Sequence, residues 1–238
     1  MTEHVAGAKG AADIYSDGTY LNNNKTWHVE DSPWKAGQIA KILRRNNLDP
    51  GKVCEVGCGA GEILKQLSDL YPHATFVGYE LSAQAFALCK GRESDKVRYR
   101  LGSPLDEEAF YDCLLCIDVF EHVEDYVGFL RGLKGKSSYK VFHIPLDISV
   151  LDVLRSSLMD KRRIVGHLHY FTRETALATL TDCSYEIVDS FYTTSFSDLP
   201  SRTFKAKLAR LPRKILFWLS PHLAVKVLGG CSLLVLAK

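Results

Sequence analysis

The sequence has no uninterrupted apolar run of the roughly 18 residues that a membrane-spanning helix needs, so no spanning segment is expected. Residues 1–18, MTEHVAGAKGAADIYSDG, lack the basic-then-apolar order of a secretory leader, and the chain reads as cytoplasmic. A disulfide framework is also missing. The seven cysteines are odd in number, and Cys54, Cys89, Cys113, Cys116 and Cys231 lie inside apolar runs, as buried thiols of a reducing compartment do. Cys113 and Cys116 form a C-x-x-C, but no second cysteine pair completes a zinc site and DCLLCIDVF reads as a strand. Residues 199–238 contain no acidic residue and eight Lys or Arg, which leaves 22 of the 30 basic and all 28 acidic groups in residues 1–198. A mildly acidic body with a basic tail is not the balance of a nucleic-acid binder, and no nucleic-acid partner is expected.

What is present is a chain of 238 residues, 46% apolar, large enough for one well-packed domain with elaborations. SPWKAGQIAKILRRNNLDPG reads as a helix, with Ser32 as its N-cap and Pro33 in the first turn. From KVCEVGC onward, short apolar runs alternate with helical spacing. Strands are expected at KVCEVGC, ATFVGYEL, KVRYRLG, YDCLLCIDVF and SYKVFHIPL, with helices at GEILKQLSDLYP, SAQAFALCKGR (capped by Ser82) and VEDYVGFLRGLKG. Such βαβ units build a parallel sheet covered on both faces. The ending differs: a helix capped by Thr172, then two strand-like runs, YEIVDSFYTTS and CSLLVLAK, which would pair antiparallel at the sheet edge. A basic segment of helical spacing, about residues 199–228, lies between them.

The stretch VCEVGCGAGEIL carries the chemistry. Gly57, Gly59 and Gly61 recur in a G-x-G-x-G pattern between a strand and a helix, where unpaired helix N–H groups favour an anion. A phosphate-binding P-loop would need Lys and Ser/Thr after the glycines, and neither is there. Glu62 at the helix start would repel a phosphate, and the dinucleotide pattern G-x-G-x-x-G is not matched. A carboxylate suits the helix N-terminus and an ammonium group suits Glu55, so a methionine-bearing nucleoside fits both. Glu80 ends the second strand about twenty residues on, where an acid can accept hydrogen bonds from ribose hydroxyls.

On these residues the chain resembles the class I S-adenosylmethionine-dependent methyltransferases. VCEVGCGAGEIL is similar to their first motif, DCLLCIDVFEHVEDY to the fourth-strand motif of the small-molecule and glycan branch, and GHLHYFTRETALATL to the helix before their closing strands. The resemblance covers residues 33–238. It implies a Rossmann-like, seven-stranded, mostly parallel sheet with helices on both faces and an antiparallel closing strand. It also implies S-adenosylmethionine as cofactor, held by Glu55, Gly57, Cys58, Gly59, Gly61, Glu80, Leu81, Asp118 and Val119. After the third strand the branch commonly has Gly-Asp. Here Ser103 follows Gly102, so Ser103 and Pro104 are the candidates for the adenine pocket.

For the transfer itself, His143 near the end of the fifth strand and His122 after the fourth are candidate bases, since imidazole accepts a hydroxyl proton near neutral pH. Glu121 and His122 alone make a poor cation cage, and no metal is expected. His167 and Tyr170 in GHLHYF, with His167 and His169 pointing the same way if the run is a strand, could pack against an acceptor. Residues 1–32, with Trp27 and His28, and Trp34 just beyond them, would form a lid over cofactor and acceptor. The expected reaction is methyl transfer to a hydroxyl of a small molecule or glycan. Methylation of RNA or protein is the enzymatic alternative, weakened by the lack of an Asn/Asp-Pro-Pro-Tyr motif. A cofactor-binding module without catalysis is the non-enzymatic one. The basic segment, residues 202–226, reads as a cap or a packing element, or as a peripheral membrane contact.

Overall fold

The computed structural model describes Tyr20, Asn24, Thr26, Trp27, residues 29–194 and residues 204–238, with side chains in the last stretch from residue 210 onward. Seven strands form one sheet: β1 (Lys52–Val56), β2 (Thr75–Glu80), β3 (Val97–Leu101), β4 (Tyr111–Ile117), β5 (Ser137–Leu146), β6 (Ile187–Thr193) and β7 (Cys231–Ala237). Their order is β3-β2-β1-β4-β5-β7-β6. The first five pair in parallel, and β7 runs antiparallel to both β5 and β6. The expected mostly parallel sheet with one antiparallel closing strand is what forms.

The central strands are mostly apolar because helices cover both faces. Val53 of β1 and Cys113, Leu115 and Ile117 of β4 join one core with α1 (Ser32–Arg45) and α2 (Glu62–Leu70). Cys54, Leu114 and Cys116, one residue out of step, join the other with α4 (Tyr126–Leu133), α7 (Arg173–Asp182) and α9 (Pro221–Leu228). The remaining helices are α3 (Ala83–Leu88), α5 (Val150–Leu154), α6 (Ser157–Ile164) and α8 (Phe204–Leu219). All seven cysteines are free and buried, as their apolar surroundings predict.

Local signals hold with small shifts. Ser82 caps α3 by accepting from the Ala85 N–H, and Thr172 caps α7 in a reciprocal capping box with Thr175. At α1 the cap is Asp31 and Ser32 is already helical, one residue from expectation. The GHLHYF run is not a strand, because no neighbour pairs with it, and its two histidines take different partners. Within the basic segment the described residues form two helices, α8 and α9.

The turn from β1 to α2 depends on glycine. Gly57, Gly59 and Gly61 all have positive φ. Gly61, at φ 80, lies so close to Tyr99 that an added Cβ would sit 2.5 Å from its ring, and the Tyr99 hydroxyl donates to the Gly61 carbonyl. Gly61→Ala therefore combines a left-handed backbone with a collision against a buried ring. It is expected to destabilise the fold by about 2–4 kcal/mol, read from urea unfolding. A loss below about 0.5 kcal/mol would mean that the loop and Tyr99 relax freely.

Candidate active site

The sheet order reverses between β1 and β4, and ligands of open α/β sheets bind outside the strand C-termini at such a switch point. A cavity of about 320 Å³ opens there. Its floor is Glu55 with Gly57, Cys58 and Gly59. One side is Ile117, Asp118, His143 and Pro145, and the other walls include Tyr20, Trp27, Trp34, Lys35, His122 and His167.

Glu55 is buried, and among the described residues its Oε2 has no hydrogen-bond partner. Burial pushes its carboxyl well above the ordinary range, with Lys35 pulling the other way. An orphaned acid at the base of a glycine-lined cavity is a receptor for a cation or a donor. Above it, the Trp27 ring covers Gly59, so that an added Cβ there would lie 2.7 Å from Trp27 Cδ1. Tyr20 packs on Trp27 with ring centroids 4.6 Å apart.

Three side chains of the cavity wall form a line that continues to Thr193. Lys35 Nζ lies 2.7 Å from Asp118 Oδ2, Asp118 Oδ1 lies 2.6 Å from His143 Nδ1, and His143 Nε2 lies 2.8 Å from Thr193 Oγ1. Asp118 has φ 54, an uncommon left-handed conformation for a non-glycine residue, and its N–H donates to the His143 carbonyl. Burial alone would raise the Asp118 carboxyl, but His143 and then Lys35 outweigh it and hold the group far below the usual carboxylate range. An ionised Asp118 makes Nδ1 of His143 a donor. Thr193 Oγ1 can also donate to the Ser232 carbonyl, 3.4 Å away.

A third group lies beside the cavity. Ligand atoms of Glu121, His122 and His167 all lie within 4.8 Å of one another, so these three could hold a divalent cation. Among the described residues, both carboxylate oxygens of Glu121 are buried without a hydrogen-bond partner, and His122 Nε2 is 3.8 Å from one of them. Burial, then Asp118, push the Glu121 carboxyl well above its ordinary value. His167 Nδ1 is 2.5 Å from Asp147 Oδ2, an outer contact that fixes its ring.

A sequence model of a family described as a methyltransferase domain matches residues 30–189. The chain belongs to this family. No curated protein matches the chain. Among solved structures, the chain is similar to magnesium protoporphyrin IX methyltransferase (ChlM) from Synechocystis PCC 6803 with bound SAH, at 15% identity, 95% and 98% coverage of the two chains and a TM-score of 0.64. It is similar to the plantazolicin methyltransferase BpumL in complex with a monoazolic desmethylPZN analog and SAH, at 16% identity, 95% and 92% coverage and a TM-score of 0.63. The cyclopropane synthase MmaA2 from Mycobacterium tuberculosis matches at 16% identity, 84% coverage of each chain and a TM-score of 0.59. At these identities the likeness is one of fold.

The methyltransferase domain brings together Glu55, Gly57, Cys58, Gly59, Asp118, His122, His143, Trp27, Trp34 and His167 around one cavity. Gly61 shapes the turn behind it. Glu80, Leu81, Ser103, Pro104, Val119 and Tyr170 are not in the cavity wall. Glu80 is buried at the end of β2 and accepts from the Gly59 and Ser82 N–H groups, each at 2.8 Å, so it fixes the glycine loop. Burial raises its carboxyl, and these N–H groups oppose the shift. Leu81 is exposed, Val119 packs against Gly57, Ser103 caps the short turn at Pro104–Asp106, and Tyr170 donates to the Leu158 carbonyl. His28 lies outside the described residues.

Lys35, Thr193 and Tyr20 escaped sequence reading. A lysine amid the apolar positions of α1 was the one available signal for Lys35, whereas Thr193 reaches the site only because β6 returns to the sheet. His167 joins His122 across 45 positions, with ring centroids 4.8 Å apart.

Burial, then His167, lower the His122 imidazole to about 4, which makes it a weak acceptor of a hydroxyl proton. The shift also has a stability signature. The unfolded histidine titrates near 6.5, so between that value and about 4 the unfolded chain binds the extra proton and folded stability is lost as pH falls. His122→Gln is expected to remove about 3 kcal/mol of that loss, measured by urea unfolding of both proteins at the two ends of the window. Glu121, whose raised carboxyl acts with the opposite sign and lies 3.8 Å from His122, is replaced by Gln in both proteins. Equal pH slopes would mean that the imidazole is not held neutral.

Proposed function

We propose that this methyltransferase domain transfers the methyl group of S-adenosylmethionine to a hydroxyl oxygen of a small molecule or glycan. One observation carries the reading: Glu55 presents an unpartnered, buried Oε2 at the floor of a glycine-lined cavity. The cofactor's ammonium group would take up that oxygen, and the α2 N-terminus, where Gly61 stands, would receive its carboxylate. The open backbone at Gly57 and Gly59 allows close approach. Glu80, through its contact with the Gly59 N–H, holds the loop that would carry the ribose. The residues fit the group in charge and in cradle, and the cavity volume is in the range of small-molecule sites.

When bound, the sulfonium supplies an already electrophilic methyl carbon, so the protein's main task is alignment. Asp118 fixes the His143 ring through Nδ1, and Nε2 faces Thr193. If Thr193 turns its hydroxyl to the Ser232 carbonyl, Nε2 becomes available to take the acceptor's proton. His122, lowered by burial and then by His167, is the weaker acceptor of a proton. Tyr20 and Trp27 line the cavity, which supports residues 1–32 as a lid that excludes water. Trp34 would contact the acceptor, a role supported by its ring centroid lying 6.2 Å from His143.

The test is transfer of labelled methyl from S-adenosylmethionine to a panel of hydroxylated small molecules, glycans, RNA and protein, with calorimetry of S-adenosylhomocysteine alongside. Labelling of RNA or protein only would overturn the acceptor class. Binding with no transfer to any class would favour a cofactor-binding module. A chain lacking residues 1–31 should stay folded and lose transfer, whereas full activity would overturn the lid.

A further inference from the structure

Helix α8 presents the wrong face to water. Leu211, Ile215, Trp218 and Leu219 recur at i, i+4, i+7 and i+8 and so share one face, yet they are 67%, 51%, 81% and 65% exposed. The opposite face carries Leu216 and Phe217, and Phe217 packs against the core. The orientation is fixed by contacts. Arg213 donates to the Leu228 carbonyl at the end of α9, and α9 buries Ala224 and Val225 in the domain. An apolar stripe held outward on an anchored helix marks an interaction surface.

The charges around the stripe identify the partner. The sequence of α8 holds five Lys or Arg and no acid, and Lys214 is exposed beside Ile215. α9 packs on α5, where a Cβ on Gly229 would collide with Asp152 and Ser149. The α5–α6 pair adds exposed apolar side chains, Val153, Leu154, Met159 and Ile164, and exposed Arg155, Arg162 and Arg163, of which Arg163 pairs with the exposed Asp160. A two-fold contact between copies would set this basic face against itself. An acidic, apolar-backed surface satisfies both features, and an anionic lipid bilayer is such a surface. Among the described residues no helix is long and apolar enough to cross a membrane, so the contact would be peripheral.

We propose that α8 lies in the interfacial layer of an anionic membrane, with Ile215, Trp218 and Leu219 entering the acyl boundary and the surrounding basic groups on the headgroups. This stands whether or not the domain transfers methyl groups. Val165, one residue past α6, lines the cavity, so such docking would bring the site's wall close to the bilayer.

The experiment is co-sedimentation of the full chain with vesicles of phosphatidylcholine alone and of an equal mixture with phosphatidylglycerol. Binding to the anionic vesicles is expected, weakened by high salt. Lys214→Glu should lower partitioning roughly tenfold. The double variant Ile215→Ser, Trp218→Ser should lower it at least about tenfold, with an unfolding midpoint at or above that of the parent, since both side chains are exposed. Bromine-labelled acyl chains should quench the parent's emission and spare Trp218→Phe. No binding to anionic vesicles, or equal binding by the double variant, overturns the proposal. Equal binding to neutral vesicles overturns its charged half. Self-association that the double variant abolishes, without vesicle binding, makes the stripe a contact between copies instead.

Discussion

Asp118→Ala is expected to lower the unfolding free energy by about 3–5 kcal/mol and methyl transfer by roughly a hundredfold. The carboxylate sits between Lys35 and His143, and removing it leaves a largely buried ammonium without its counter-charge. Burial by itself would lower Lys35, and Asp118 is what reverses the shift. The pH dependence has a definite sign. The Asp118 carboxyl is depressed in the folded chain, so its contribution is fully present above the unfolded value of 3.8 and is lost as pH falls through the lower folded value. Asp118→Asn keeps the volume and loses the charge, and should fall between the parent and the alanine variant. Adding Lys35→Met to Asp118→Ala removes the orphaned cation and should recover part of the loss, giving a coupling of at least about 1 kcal/mol in a double-mutant cycle. The activity loss follows a different route: without Asp118, His143 loses the partner that orients its ring. A single-variant loss below about 1 kcal/mol would mean that water already screens the ion pair.

Much of this arrangement is local in origin and could be read from the chain. Val53–Val56 and Tyr111–Ile117 read as strands because apolar residues fill both faces, and the glycine loop between strand and helix announces its own backbone. Glu55 was legible because a buried acid one residue before a backbone-rich loop has few purposes. Tyr20, Lys35 and His167 were harder because each reaches the cavity from a distant segment, as Thr193 reaches His143, and only packing decides which face meets it. Glu80 is legible in position but not in its contacts. Its position at the end of β2 was predictable, but its orientation toward the Gly59 and Ser82 N–H groups was not. Helix α8 was legible as amphipathic and basic. That its apolar side faces outward depends on the Arg213 contact with α9, which no periodicity encodes.

Glu55→Gln is expected to weaken S-adenosylhomocysteine binding about a hundredfold, the loss of one charge-assisted contact to a buried acid, while making the free chain more stable toward high pH. The two effects have one cause. Glu55 is buried with an unpartnered Oε2, and burial raises its carboxyl well above 4.5. The unfolded acid ionises near 4.5, so above that value the folded chain holds a proton that the unfolded chain has released, and stability falls as pH rises until the folded group ionises. Glutamine does not titrate, so the difference in unfolding free energy between variant and parent should move in the variant's favour from pH 4.5 upward. An ammonium group needs the carboxylate, so binding to the parent should release a proton and tighten with pH over the same range. Calorimetry in buffers of different ionisation enthalpy reads that proton directly, and the variant should release none. A structural acid would behave differently: its removal would cost stability and affinity together, with no linked proton. Unchanged affinity in the variant would sink the assignment of Glu55 to the cofactor. Affinity lost while stability is gained would identify a group kept unsatisfied in the free protein for the sake of its ligand.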